Sequence, residues 1–168
     1  MAFLSGVNIV RDACEHPVIG SYIHKVQFDE LMQTLDLPID ECKQFANDVL
    51  ERFENPFVDH QVTSIMLNSF PKYETRDLPG VKTYLKRKGK LPEGLVLGLA
   101  AIITYYKGGK RDDGTNIVPN DDQKIMDHLT ELWATGNTQA VAEGVLAFDY
   151  VWHEDLNQTV PGLCDMVK

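Results

Sequence analysis

LPEGLVLGLAAIITYY, Leu91 to Tyr106, is the stretch that decides the fold. Pro92 suits the first turn of a helix, where its missing amide is not needed and its fixed φ is already helical. From Leu95 to Ile103 the run LVLGLAAII is apolar nearly all round. A helix without a polar face has no solvent side, so it belongs in the middle of a helical domain. The run is about half the length that a membrane span of ~20 residues requires.

Working outward toward the N-terminus, Leu78-Pro79 opens a helix through Val81, Tyr84 and Leu85, which Gly89 can close in the left-handed conformation. Pro71 to Asp77 reads as irregular. Before it lies ERFENPFVDHQVTSIMLNSFPK, Glu51 to Lys72. The preceding helix must end near Asn55-Pro56, because proline lacks an amide donor and pushes the residue before it out of the helical region. A new helix is expected from Phe57 to Ser69. At about 100° per residue, Val58, Val62, Ile65 and Met66 share its apolar face. His60, Ser64 and Asn68, spaced i, i+4, i+8, form a polar stripe. Such a stripe fits the wall of a polar-ligand pocket, and it fits an ordinary surface helix equally well.

Further upstream, Phe45, Ala46, Val49, Leu50 and Phe53 form the clearest amphipathic pattern in the chain. A turn, DLPID, precedes it, with Asp40 as the expected N-cap. Val18 to Leu35 reads as one or two helices. Ala2 to Cys14 reads as a helix with no capping residue at its start. Downstream of the apolar run, Lys107 to Asp122 is the longest loop, and its acids, which lack the alternation of a calcium loop, are expected to be solvated. Asn120 or Asp121 should then cap a helix bearing Ile125, Met126, Leu129, Leu132 and Trp133, which Gly136 ends. Thr138 to Val151 forms another helix, and Pro161 starts the last. With no period-2 strand and no repeat, the chain reads as one all-α, multi-helix globular domain over residues 1–168.

The totals exclude several function classes. A formal charge of −9, from 25 acidic against 16 basic residues, argues against a nucleic-acid or anionic-membrane surface. The single basic run, Lys82 to Lys90, sits at an expected helix end, where cations complement the helix dipole. Cys14, Cys42 and Cys164 have neither zinc nor redox spacing and fit a reducing compartment, so the expected location is cytoplasmic and no metal is expected. His128 and His153 have no partner at ligand spacing and read as structural. Trp133 and Trp152 read as core anchors.

Four pieces of the chain carry a resemblance: NPFVDHQ, SIMLNSFPK, RDLP and LPEGLVLGLAA. Together they make it similar, over essentially its whole length, to the helical C-terminal domain of the polyol-specific, long-chain mannitol dehydrogenase family. That domain type is related in fold to 6-phosphogluconate dehydrogenase-like enzymes. Within the family the likeness is greatest to the branch that interconverts tagaturonate and altronate in hexuronate catabolism. The resemblance implies a partner, an N-terminal Rossmann domain that binds NAD, and a sugar acid substrate. It also implies a catalytic K-x-x-x-x-N-x-x-H motif, which this sequence does not contain, so no catalytic residue is expected in it. The expectation is therefore a C-terminal, substrate-side domain truncated at both ends and inactive alone. A related fructuronate or mannitol dehydrogenase and a non-catalytic helical binding module are the alternatives.

In mannitol-oxidising members the segment resembling Ser64 to Lys72 carries an Arg first and a Lys ninth, both facing the sugar hydroxyls. Lys72 keeps the second, whereas Ser64 departs from the first, which suits a different sugar. An ammonium at Lys72 can donate to hydroxyl, keto or carboxylate oxygens. Asn68 and His60 are candidate hydroxyl partners on the same stripe. Arg76 is a candidate second carboxylate anchor, unless it pairs with Asp77 or Glu74.

Overall fold

The computed structural model describes all of residues 1–168. In chain order its helices are α1 (Val10–Glu15), α2 (Pro17–His24), α3 (Ile39–Phe53), α4 (Val62–Ile65), α5 (Ser69–Arg76), α6 (Leu78–Lys88), α7 (Glu93–Tyr105), α8 (Gln123–Ala134), α9 (Thr138–Leu146), α10 (Asp149–Trp152), α11 (Leu156–Thr159) and α12 (Leu163–Val167). A single 3-10 turn, Phe3–Ser5, precedes them, and a π-helical segment, Lys25–Glu30, followed by a 3-10 turn, Leu31–Thr34, extends α2. The only sheet is a hairpin of β1 (Gly109–Lys110) and β2 (Asn116–Ile117). No helix is long and apolar enough to cross a membrane.

Helix α7 runs through the core of the fold and buries most of its apolar side chains, although Leu97 on its outer side is 48% exposed. Val96 and Leu99 are buried completely among α5, the π-helical segment and α12. On one side stand Val81 and Phe70 from α6 and α5. On the other stand Leu146, Leu156 and Leu163 from α9, α11 and α12, with Ile125 and Leu129 of α8 continuing the same core. Phe70, Tyr106 and Trp152 interlock edge to face, with ring centroids 4.8 and 5.8 Å apart, a geometry that satisfies the ring quadrupoles. Trp152 donates its indole N–H to the Val145 carbonyl at 2.6 Å, so its one polar atom is satisfied inside the core.

The N-terminus of α7 is buried, and that position creates a problem. The first amides of a helix have no partner within it, and Pro92 supplies no capping side chain. Glu30, itself buried, reaches in from the π-helical segment. Its two carboxylate oxygens accept from the Gly94 and Leu95 amides at 2.7 and 2.8 Å. Tyr22 and Tyr73 donate to the Gly94 and Leu95 carbonyls, each at 3.0 Å. This approach depends on glycine: a Cβ on Gly94 would stand 2.7 Å from Val26, and one on Gly98 2.9 Å from the Tyr22 hydroxyl. Low dielectric around the cluster pushes the Tyr22 phenol up to about 12.

A second fastening, by Arg111, was not visible in the sequence, where the acidic loop read as solvated. The loop folds into the hairpin, and Arg111 turns inward to lie 4.6 Å over the Phe3 ring. It donates to the Phe3 carbonyl and the Asn8 side chain, both at 2.9 Å, and pairs with Asp113. The N-terminal strand of chain is thereby tied to the middle of the sequence. This tie also corrects the expected helix over Ala2 to Cys14: only Phe3–Ser5 and Val10–Glu15 are helical, and Ile9 pairs with Gln61 in an isolated bridge.

Other boundaries differ for local reasons. Pro71 to Asp77 is helical rather than irregular, because Phe70 and Tyr73 one turn apart both find the core. Asp122, not Asn120 or Asp121, caps α8 by accepting from the Lys124 amide. The expected helix over Thr138 to Val151 stops at Leu146 and restarts as α10. Gly89 closes α6 with φ 69° as expected. Asp40 lies in the first turn of α3, where its charge faces the helix dipole, instead of at the cap.

Asp77, between α5 and α6, makes a pH-dependent contribution to stability. Burial raises its carboxyl to about 6, and the nearby Arg76 only partly offsets this. A raised folded-state pKa means that the native state holds the proton more tightly. Stability is therefore greatest below the unfolded value near 4, declines as pH rises toward 6, and is level above that. Asp77→Asn removes the buried charge. It should stabilise the protein by about 2 kcal/mol at pH 7.5, with the gain vanishing near pH 4 in denaturant titrations; an unchanged difference across that range would refute the assignment.

Candidate functional site

The residues singled out in the sequence lie at the corner between α4 and α5, but they do not form the stripe their spacing suggested. The helix expected from Phe57 to Ser69 is present only as the single turn α4. Asn55 accepts from the Phe57 amide at 2.9 Å, and Arg11 donates to the Pro56 carbonyl and the Asp59 carboxylate. These bonds hold Asn55 to Asp59 as a loop. His60 is on extended chain, its carbonyl accepting from the Val10 amide at 2.9 Å while its ring faces solvent. Ser64 lies exposed on α4. Asn68 stands outside any helix in the left-handed region, with φ 54° and ψ 49°. The i, i+4, i+8 alignment is thus broken twice, once by the pairing of the chain with the N-terminal segment and once by the reversal at Asn68.

The fold turns Lys72 back toward α4, the helical turn that carries Ser64. The Lys72 ammonium donates to the Ile65 carbonyl at 3.0 Å, folding its half-buried side chain back across the reversal onto the end of α4. Arg76 follows one turn later on the same face of α5. It forms an ion pair with neither Glu74 nor Asp77, so its guanidinium fork remains open to solvent. Lys72 and Arg76, one helical turn apart, make a cationic strip, which is chemistry suited to a carboxylate and neighbouring hydroxyl groups.

The opposite side of Asn68 is different. A cleft of about 470 Å³ is lined there by Asn68, Glu74, Asp121, Asp122, Tyr150 and His153. The Tyr106 hydroxyl donates to Asp121 and accepts from the Ser69 amide at 3.3 Å, and the Asn68 amide donates to the Asn120 carbonyl at 3.2 Å. Three carboxylates facing this cleft make it unsuited to an anionic ligand. In the sequence Asp121 read only as a candidate helix cap and Tyr106 as a helix end, so neither stood out as a site residue. Only tertiary contact joins them. His128 donates through Nε2 to the Gly144 carbonyl at 3.2 Å and stacks on Phe148 at 3.9 Å, and His153 closes α10 with φ 58°. No group of three or more His, Cys, Asp or Glu side chains converges as a metal-ligand set.

Gly108 and Gly109 do not form the glycine turn of a dinucleotide cradle. Gly108 and Gly109, with φ 70° and 90°, lead into an antiparallel hairpin. A pyrophosphate site needs a glycine turn between a parallel strand and a helix N-terminus.

The reversal at Asn68 gives a direct test of backbone against side-chain roles. Asn68→Gly should leave stability within about 0.5 kcal/mol, whereas Asn68→Val should cost about 1–2 kcal/mol, because a branched side chain is strained at positive φ. Equal losses in thermal or urea unfolding would show instead that the Asn68 side chain, not the backbone geometry, matters.

Comparison with known proteins agrees with this architecture. The family model described as mannitol dehydrogenase C-terminal domain matches residues 1–168. An altronate oxidoreductase of Bacteroides thetaiotaomicron is 74% identical over the whole chain, which covers 35% of that protein, and one of Phocaeicola vulgatus is 73% identical with the same coverage. One of Bacillus subtilis is 37% identical over 99% of the chain and 33% of its own length. The chain thus spans about a third of the length of the curated relatives it matches. Among solved structures, a ternary complex of Pseudomonas fluorescens mannitol 2-dehydrogenase with NAD and D-mannitol superposes with a TM-score of 0.81 at 18% identity, over 99% of this chain and 33% of that one. A central apolar helix, a multi-helix shell and a family match from first residue to last lead to one conclusion: the chain belongs to the mannitol dehydrogenase C-terminal domain family.

Proposed function

We propose that this chain is the substrate-side domain of an NAD-dependent altronate oxidoreductase, interconverting tagaturonate and altronate in the cytoplasm. The observation that carries this reading is the identity of 74% to an altronate oxidoreductase, extending over every part of the chain. The cationic strip supports it, because a uronate brings a negative charge that a neutral polyol lacks. In this reading the Lys72 ammonium holds the sugar-acid carboxylate or an adjacent hydroxyl, Ser64 contributes a compact hydrogen-bonding partner, and Arg76 supplies a second cation. Asn68 sets the reversal that lets Lys72 fold back, and His60 stands farther out on the loop side. Oxidation–reduction and proton transfer belong to the rest of the enzyme, an N-terminal Rossmann domain that holds NAD.

Two outcomes follow. The 168-residue chain alone oxidises no NADH in the presence of tagaturonate, and turnover by the purified chain would overturn the domain assignment. In the full-length enzyme, Lys72→Ala raises KM for tagaturonate about tenfold, the loss expected of one charge-assisted hydrogen bond. KM for NADH stays unchanged, and a neutral polyol suffers a smaller loss. Steady-state kinetics with tagaturonate, fructuronate and mannitol read both the role of Lys72 and the substrate; an unchanged KM removes Lys72 from the site.

A further inference from the structure

Helix α3 has the clearest amphipathic sequence in the chain, yet the only side chain it buries is Ala46. Phe45 is 67% exposed, and Leu37, just before the helix, is 65% exposed. Both line an apolar groove of about 490 Å³ between α3 and the Leu31–Thr34 turn. At the other end of α3, Phe53 enters a second apolar cavity, of about 330 Å³, shared with Val62, Ile65 and Met66. The chain then presents Phe57, 93% exposed. Nine of the fourteen exposed large apolar side chains fall between Leu35 and Leu67, and the other five are scattered. Isolated apolar residues on a surface are ordinary, but a contiguous ridge of this kind marks an interaction surface.

The ridge is held in place. The bonds from Asn55 and Arg11 fix the loop that carries Phe57, so its ring is presented to solvent by a braced segment.

We propose that this ridge, α3 with the loop Asn55 to Asp59, is the docking surface for the upstream portion of the full-length polypeptide. This inference rests on the reading of the chain as one domain of a longer oxidoreductase, and not on which sugar acid that enzyme takes. The occupant follows from three observations. The chain covers 35% of relatives 74% identical to it, so a body of about twice its size belongs beside it. Met1 lines the same cavity as Phe53 and Ile65, so polypeptide preceding it in the longer relatives leaves from the middle of this surface. The ridge also runs on to Ile65, whose carbonyl holds Lys72, so a body seated on it would wall the cationic strip. Aromatic and aliphatic side chains without polar partners fit a folded protein surface, whereas a sugar acid or nucleotide would need hydrogen-bonding groups there.

The test is hydroxyl-radical footprinting of the full-length enzyme by mass spectrometry, with Tyr150, 45% exposed, as the internal reference. The expected result is oxidation of Phe45 and Phe57 at least about tenfold slower than that of Tyr150, as for side chains in an interface core. Lysine cross-links from Lys43 on α3, made in a mixture of isotopically labelled and unlabelled enzyme, should join upstream lysines of the same polypeptide. Phe45 and Phe57 reacting as fast as Tyr150 would overturn the proposal. Cross-links found only between labelled and unlabelled chains would also overturn it, assigning the ridge to a second copy. Neither readout uses substrate, so a failure to turn over altronate beside a protected ridge would sink the substrate reading alone.

Discussion

The structure depends on one interaction: the Glu30 carboxylate accepting from the Gly94 and Leu95 amides. Helix α7 packs into the core because most of its residues are apolar, and that position removes the Gly94 and Leu95 amides from water. Unpaired amides there would cost about 1–3 kcal/mol each. Glu30 meets two of them and brings a negative charge to the positive end of the helix dipole. The π-helical geometry of Lys25–Glu30 places the carboxylate, and Gly94 leaves the space for its approach, as Gly98 does for the Tyr22 hydroxyl. Packing, hydrogen bonding and the glycine pattern of α7 are one arrangement.

Around that axis the chain is tied at two further points, and both determine how the candidate site is presented. Arg111 draws the N-terminal segment onto the hairpin. That segment in turn pairs with Gln61 and His60, so the stretch expected to be helical is pulled out as extended chain. Arg11 fixes the loop beyond it. The outcome is a corner, α4 to α5, with two electrostatically distinct sides. Lys72 and Arg76 face one side, and Glu74, Asp121 and Asp122 the other. The two sides therefore differ in charge, cations on the first and carboxylates on the second.

The candidate site was legible in part. Lys72 was singled out because its place in SIMLNSFPK matches a family position, and the fold turns its ammonium back onto the Ile65 carbonyl. His60, Ser64 and Asn68 were grouped by a helical period that the segment does not keep. Their spacing carried no information about the Ile9 to Gln61 bridge, which joins residues far apart in sequence. Asn68 was noticed for its amide, while the structure shows that its backbone, at φ 54°, is what turns the chain. The same limit applies to α3. Its amphipathic pattern was plain, but periodicity gives the direction of an apolar face and not what lies against it.

By itself the sequence determined the all-α class, the central place of Leu91 to Tyr106, the helix stops at Pro56 and Gly89, and family membership. These follow from local rules: side-chain period, the backbone limits of proline and glycine, and motifs contiguous in the chain. Tertiary structure alone decided the inward turn of Arg111, the capping of α7 by Glu30, the unwinding of Phe57 to Gln61 and the exposure of the α3 ridge. The first two depend on the desolvation of groups brought together from distant parts of the chain, and the last two on which distant segments pack or pair. The desolvation cost arises only once the core has closed, and no local pattern records it.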